Sequence, residues 1–196
     1  LLADSRISIE QILAQLFRNA MLSKAEQLLL TGSGTNEPLG ILTSGPSGNS
    51  ALVTVTRDAT GISVNNIAEM YSRQTNPANA VWIASRTLLQ TLLSYSNEHI
   101  VWTRDIAGPM PALLFGRPLI FSSFAPPFAS AGTLSFVDLS HVVTAMTDPV
   151  IQSSRDYAFA QDLTTWRFVM RFGSRPNTFA QDGTMSPFGF NNFGSR

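Results

Sequence analysis

The stretch Thr31-Gly32-Ser33-Gly34-Thr35-Asn36-Glu37-Pro38-Leu39-Gly40-Ile41-Leu42 decides how the rest of the chain is read. It follows an amphipathic run without a break. Between Ser8 and Leu30 the apolar residues Ile9, Ile12, Leu13, Leu16, Phe17, Ala20, Met21, Ala25, Leu28 and Leu29 recur at steps of three and four, the period of one helical face. Ser8 with Gln11 makes a capping-box pattern at its start. Gly32 stands where a left-handed C-terminal cap belongs. Such a helix is about 35 Å long at ~1.5 Å per residue. It reads as a strut, or as the core helix of a bundle, and the rest of the chain is not bundle-like. The glycine-rich exit does not read as a phosphate cradle. A Walker loop ends in Gly-Lys-Ser/Thr, which is missing here. A dinucleotide loop opens a helix, so that the positive end of the dipole faces the phosphate. This loop leaves a helix, at the negative end. Gly32 and Gly34 are therefore expected to permit positive φ, with Pro38 and Gly40 fixing a turn.

Outward from this exit, the chain alternates. Gly45-Pro46-Ser47-Gly48-Asn49-Ser50 is a loop by composition, and Leu52 to Val55 a strand. A second helix is expected after Ser63, with Val64, Ile67, Ala68 and Tyr71 on one face, ending at Asn76-Pro77. Ala80-Val81-Trp82-Ile83-Ala84 reads as a buried strand, and Ser85 as the N-cap of a third helix through Leu92 or Leu93. This gives an α/β core between about Leu52 and Ser94. Asn97 to Met110 reads as a long excursion containing strand-like Ile100-Val101-Trp102. A turn at Leu114-Phe115-Gly116-Arg117-Pro118 feeds a strand that ends at Ser122. Further strands are expected at Leu134 to Asp138, Val142 to Met146, Val150 to Ser153 and Leu163 to Phe172. The last alternates Trp166, Phe168, Met170 and Phe172, as a half-buried ribbon does. The tail from Arg175, rich in Phe, Gly and Asn, is expected to hold little regular structure.

Composition narrows the function. A chain of 196 residues suits one large domain or two small interdependent ones. With 13 basic and 13 acidic residues there is no charge excess to draw it to nucleic acid or to an anionic membrane. No apolar run approaches the ~20 residues of a membrane span. The chain has no cysteine, which excludes disulfide and thiol chemistry. The two histidines, His99 and His141, have no partner at metal-ligand spacing. Gly45-Pro46-Ser47-Gly48 is not a nucleophile elbow. No catalytic, cofactor or metal residue is assigned. Charged residues are only 13% of the chain, against roughly 25% in ordinary domains. Neutral polar surface is cheap to desolvate, and interface cores are charge-poor. The chain is then either a subunit that spends much of its surface against partners or a monomer with a neutral coat. Arginine outnumbers lysine twelve to one. Arg155-Asp156 and the series Arg167, Arg171, Arg175 read either as bidentate partners at subunit contacts or as solvated cations on a strand face.

Several motifs in order carry a family resemblance. After the helix and Gly32-Ser33-Gly34-Thr35…Pro38-Leu39-Gly40-Ile41-Leu42 comes Trp82-Ile83-Ala84-Ser85…Leu88-Leu89…Leu92, a strand then a helix. Gly116-Arg117-Pro118-Leu119 looks like a Gly-x-Pro-Val turn, and Phe136-Val137-Asp138-Leu139-Ser140 like a Phe-Gly-Asp-Phe/Leu-Ser strand end with Val137 in place of Gly. Together they resemble the major capsid proteins of tailed bacteriophages.

That resemblance implies an α+β fold, the Hong Kong 97-like coat-protein fold, in two lobes. Residues 1–35 and 149–175 would form a peripheral lobe of spine helix and β-ribbon, residues 36–148 a mixed α/β axial lobe, and 176–196 a tail returning to the axial lobe. The structural motif residues would be Gly32, Gly34, Pro38, Gly40, Gly116, Pro118 and Asp138, and the subunit contacts Arg155, Asp156, Arg167 and Arg171. It implies a non-enzymatic virion protein of a phage or prophage, assembled in the bacterial cytoplasm. Its partners would be copies of itself in hexamers and pentamers around DNA, with scaffolding, portal and maturation-protease proteins. No cofactor, membrane or sequence-specific nucleic acid is implied. Relatives also carry an arm and a hairpin ahead of the helix, so a longer protein with sequence upstream of Leu1 is expected. Some relatives weld their shells by a lysine–asparagine isopeptide bond. Asp162 and Val169 stand near the asparagine and glutamate positions, so no such weld is expected. Bacterial nanocompartment shell proteins are the alternative of the same fold, and a small α/β hydrolase or binding module the alternative of another class.

Overall fold

Helix α1 (Ile9–Thr31) ends as the sequence indicates, but its exit is built differently. The structure, a computed structural model, describes residues 9–43, 52–56, 58, 61–94, 102–103, 113–128, 130–161, 163–176 and 188–192. The Ser8 cap, the 45–50 loop, His99, Asp162, nearly all of the 97–110 excursion and much of the tail lie outside the described residues. At the exit, Gly32 still donates its N–H to Leu28 O (3.0 Å), as a helical residue would. The chain then reverses, with Ser33 bridged to Leu39. Gly40, Ile41 and Leu42 return along the helix end and donate to Gly32 O, Leu29 O and Leu30 O at 2.8–2.9 Å. The carbonyls that a helix leaves orphaned are satisfied by this returning backbone.

Two glycines are required because backbones touch. A Cβ on Gly32 would lie 2.1 Å from Pro38 O and 2.6 Å from Leu28 O, and one on Gly40 would lie 2.5 Å from Gly32 N. The expected left-handed cap at Gly32 is not found. The positive φ angles are at Gly34 (78°) and Asn36 (59°), inside the reversal. Local pattern suggested a φ requirement at Gly32, whereas the requirement there is space.

Beyond the exit lies a seven-stranded sheet. Its strands are β1 (Leu52–Thr56), β2 (Val81–Ser85), β3 (Trp102–Thr103), β4 (Leu113–Leu114), β5 (Arg117–Ser122), β6 (Leu134–Val137) and β11 (Phe188–Asn192), in the order β1-β11-β6-β2-β5-β4-β3. β2 is central, parallel to β5 and antiparallel to β6. The pleat sorts its side chains to two faces. Trp82 and Ala84 share one face with Phe136 and Leu134 and pack with Ile67 and Met70 of helix α2 (Val64–Ser72) and Leu92 of α3 (Leu89–Ser94). Ile83 and Val137 lie on the other face, against Leu30 and Ile41 at the helix exit. The exit therefore fastens α1 to the back of the sheet. Ser122 Oγ adds a 2.7 Å hydrogen bond to Glu26 of the helix.

Local signals placed several elements. Ser63 and Asn66 form a reciprocal capping box for α2, and Asn66 Nδ2 also donates to Thr56 O of β1. The helix ends with Arg73 as its C-cap, ahead of Asn76-Pro77, and buries Ile67 and Met70 while Ala68 is exposed. After Ser85 the chain makes a 3-10 turn (Arg86–Leu88) before α3, and Ser85 Oγ pairs with Thr87 Oγ1 instead of capping. Phe115 and Gly116 both have positive φ (49° and 71°), the geometry of a two-residue hairpin joining β4 to β5.

Two corrections concern the C-terminal third. The stretch from Leu163 to Phe172 is not one strand. β9 (Leu163–Val169) pairs with β8 (Val150–Ala158), whereas β10 (Phe172–Pro176) pairs with β7 (Val142–Met146). The change of partner falls at Arg171, whose backbone N–H donates to Thr147 Oγ1 and whose carbonyl accepts from Thr147 N, both at 2.9 Å. The tail is also more regular than expected. β11 sits inside the main sheet, parallel to β1 and antiparallel to β6. Gly and Asn disfavour strands in isolation, but ladders on both sides override that preference.

Candidate assembly surface

Helix α1 has 23 residues, and among those whose side chains are described Ala25 and Leu30 are the buried apolar ones. Ile12, Leu16 and Phe17 of its apolar stripe are exposed, Leu16 by 59%, as is Leu22 outside the stripe. A helix of this kind derives most of its stability from burying an apolar face. The chain provides only part of that burial. Phe17 stacks on Phe168 of β9 with centroids 3.7 Å apart, and Trp166 continues the stack. Leu16 faces solvent.

The ribbon and its neighbour repeat this pattern. Val143 and Met146 of β7, Val150, Ile151 and Tyr157 of β8, Phe159 of the turn, and Leu163 of β9 are exposed. Tyr157 and Phe159 stand out at 85% and 82%. The main sheet, by contrast, buries Trp82, Phe136, Leu119 and Leu134 completely. Leu113, Ile120, Phe128 and Leu139 are exposed elsewhere. Scattered apolar exposure is ordinary, whereas a concentration such as that on α1, β7, β8 and β9 is characteristic of interaction surfaces.

The residues singled out in the sequence divide into two groups. Gly32, Gly34, Pro38 and Gly40 meet at the helix exit. Gly116 and Pro118 lie at the β4–β5 hairpin, where the Arg117 guanidinium donates to Ala78 O. Asp138 is buried at the end of β6, and its Oδ1 accepts from Ser140 N (3.0 Å) to cap the 3-10 turn Leu139–His141. His141 Nε2 lies 3.9 Å from the other carboxylate oxygen. Arg155, Asp156, Arg167 and Arg171 are exposed on or beside the ribbon. Among the described residues none of them forms an ion pair, and the pairs present are Arg73–Glu69 and Asp138–His141. The sequence pattern did not single out Tyr157 or Phe159, because Arg155-Asp156-Tyr157-Ala158-Phe159-Ala160-Gln161 contains no Gly, Pro or Asn to signal a hairpin tip.

Titration enters at the exit loop. The Ser33 backbone N–H (2.7 Å), helped by the Ser33 hydroxyl, holds the exposed Glu37 carboxyl below its usual 4.5. A carboxyl with a depressed folded-state pKa stabilises the fold above its unfolded value, and that contribution is lost as pH falls through the folded value. The gap in urea midpoint between the native chain and Glu37→Gln should thus be present at neutral pH and close as pH falls through the lowered folded-state value.

Burial also separates two neighbouring helix positions. Leu16→Asp should leave the unfolding free energy of the isolated subunit within about 0.5 kcal/mol. Phe17→Ala should cost about 1–2 kcal/mol through the lost stack. Leu16 belongs to the apolar helical face, but its 59% exposure means that a charge there meets solvent and not an internal seam. Urea unfolding of the two variants checks the ranking.

Two solved structures share this arrangement. The capsid of an empty GTA particle computed with C5 symmetry matches with TM-score 0.76 at 18% identity, over 99% of this chain and 69% of that one. The capsid of a native GTA particle computed with C5 symmetry matches with TM-score 0.69 at 18% identity, over 97% of this chain and 74% of that one. Identity this low speaks for the fold, which is an α+β capsid fold. No curated protein gives a significant match. The sequence itself carries the family assignment. The profile of the phage capsid family matches residues 1–180, a span that includes the helix exit, the β4–β5 hairpin and the ribbon, and the chain belongs to that family.

Proposed function

We propose that copies of this capsid subunit assemble into hexamers and pentamers that close an icosahedral head around a DNA genome. The observation that carries this reading is the apolar stripe of α1 and the ribbon, left exposed in the single chain although the main sheet buries Trp82, Phe136, Leu119 and Leu134. Burying each such side chain contributes roughly 1.5–3 kcal/mol, enough for a few to decide association. In this reading α1 and the β8–β9 ribbon form the peripheral lobe and the main sheet, with β11 from the tail, forms the axial lobe. The rigid exit at Gly32 and Gly40 sets the angle between them. The subunit's work is geometric, with no reaction of its own. Scaffolding, portal and maturation-protease proteins would be partners in the host cytoplasm.

Particle formation tests the reading. Sedimentation and electron microscopy of the full-length protein should show closed shells. Leu16→Asp should reduce particle yield at least tenfold while the subunit keeps its unfolding midpoint. Unchanged particle yield in that variant would show that the helix stripe is not an assembly surface.

A further inference from the structure

We propose that the tip of the β8–β9 ribbon of one copy, led by Tyr157, seats in the cleft between α1 and the foot of the ribbon of a second copy. The inference rests on the shell-subunit reading above and names one contact within it. The cleft is lined by Ala14, Gln15, Arg18 and Asn19 of α1 and by Pro149 and Ile151 at the start of β8. Ala14, Pro149 and Ile151 give it an apolar floor. Arg18 is part of the lining, and Asp148 directly precedes the lining residue Pro149 in sequence.

The tip carries the complement. Tyr157 and Phe159 are 85% and 82% exposed, and Asp156 and Arg155 precede them. All four charges, Arg18, Asp148, Arg155 and Asp156, are exposed, and among the described residues none has an ion-pair partner within the chain. In a chain only 13% charged, such placement is informative. The signs match when Asp156 approaches Arg18 and Arg155 approaches Asp148. An aromatic anchor in an apolar cleft with charges at its rim is the usual build of a protein interface. Here the charges set orientation and the aromatic ring supplies the burial.

Length makes the contact intermolecular. Tip and foot are at opposite ends of β8, which has nine residues. At ~3.3 Å per residue they are about 26 Å apart, so a tip cannot fold back into its own cleft. The contact uses different surfaces on the two copies. Such a head-to-foot contact propagates into rings or extended lattices and does not stop at a pair.

The absence of native cysteine makes the test direct. Gln15→Cys and Ala160→Cys are placed together in the full-length protein, both at exposed positions that leave the aromatic anchors intact. Particles are purified, treated with a short bismaleimide and run on a denaturing gel. The double variant should give a ladder of multimers, and each single variant none. Particles with no ladder in the double variant overturn the contact and leave the shell reading standing. Dimers from Ala160→Cys alone also overturn it, since they mean that tips meet tips. A parent chain that forms no particles overturns the shell reading and this contact with it. A charge swap gives an independent readout. Arg18→Glu should lower particle yield at least tenfold, and adding Asp156→Arg should restore at least half of it. A loss that the second change does not repair contradicts the pairing.

Discussion

Gly32→Ala is expected to destabilise the subunit by about 2–4 kcal/mol, a large effect for one methyl group. The added Cβ would stand 2.1 Å from Pro38 O and 2.6 Å from Leu28 O. Both obstacles are backbone, so no rotamer change relieves them. Moving Pro38 away would pull Gly40, Ile41 and Leu42 from the helix carbonyls they satisfy. Each of those hydrogen bonds contributes about 1 kcal/mol net, and an orphaned buried carbonyl costs more. Leu30 and Ile41, which pack on Ile83 and Val137, would shift with them. Gly40→Ala should behave alike, because its Cβ would meet Gly32 N at 2.5 Å. Gly34→Ala should cost only about 1 kcal/mol, the strain of a side chain at positive φ. Its nearest obstacle is the flexible Leu39 side chain at 3.0 Å. Asparagine separates the explanations, since it tolerates the left-handed region. If Gly32→Asn proves as mild as Gly34→Ala in urea unfolding, a φ requirement, and not close approach, governs this position.

Trp82→Ala should cost about 3–5 kcal/mol, the range for removing a large aromatic from a packed core. Trp82 is fully buried, stacks on Phe136 with centroids 4.1 Å apart, and donates Nε1–H to Leu114 O at 3.0 Å. It lies on the central strand, so its loss opens a cavity between the sheet, α2 and α3. Trp82→Phe should recover part of that stability and still lack the hydrogen bond. Equal stability of Trp82→Ala and the native chain by equilibrium unfolding would place the core elsewhere. The comparison with Leu16→Asp is instructive, because Trp82 reads from sequence as part of a buried strand and Leu16 as part of an apolar helical face.

That comparison shows how far the sequence was legible. Helix α1, the alternation through β2 and the cap at Ser63 follow from local period and local hydrogen bonding, and these the chain declares openly. The Phe115-Gly116 hairpin is equally local, since a glycine between two apolar runs asks for positive φ. What depended on distant partners was not readable. β11 has a glycine and two asparagines and becomes a strand only because β1 and β6 flank it. The split at Arg171 depends on Thr147, 24 residues away. Gly32 was identified as essential for the wrong reason, because the nearest atom that excludes a Cβ, Pro38 O, belongs to a chain that returns six residues later. The apolar stripe of α1 was visible, but periodicity says only that a face seeks burial and not which molecule supplies it. For the same reason Arg155, Asp156, Arg167 and Arg171 were open to two readings, and the exposed positions of all four suit a contact outside the single chain.

The central claim is that the flank formed by α1 and the β8–β9 ribbon is covered by other copies in a shell. Hydroxyl-radical footprinting read by mass spectrometry tests it residue by residue. Oxidation of Leu16, Tyr157 and Phe159 should fall at least fivefold in assembled particles relative to dissociated subunits, while buried Trp82 reacts weakly in both. Equal oxidation of those three residues in particles and in free subunits would contradict the account.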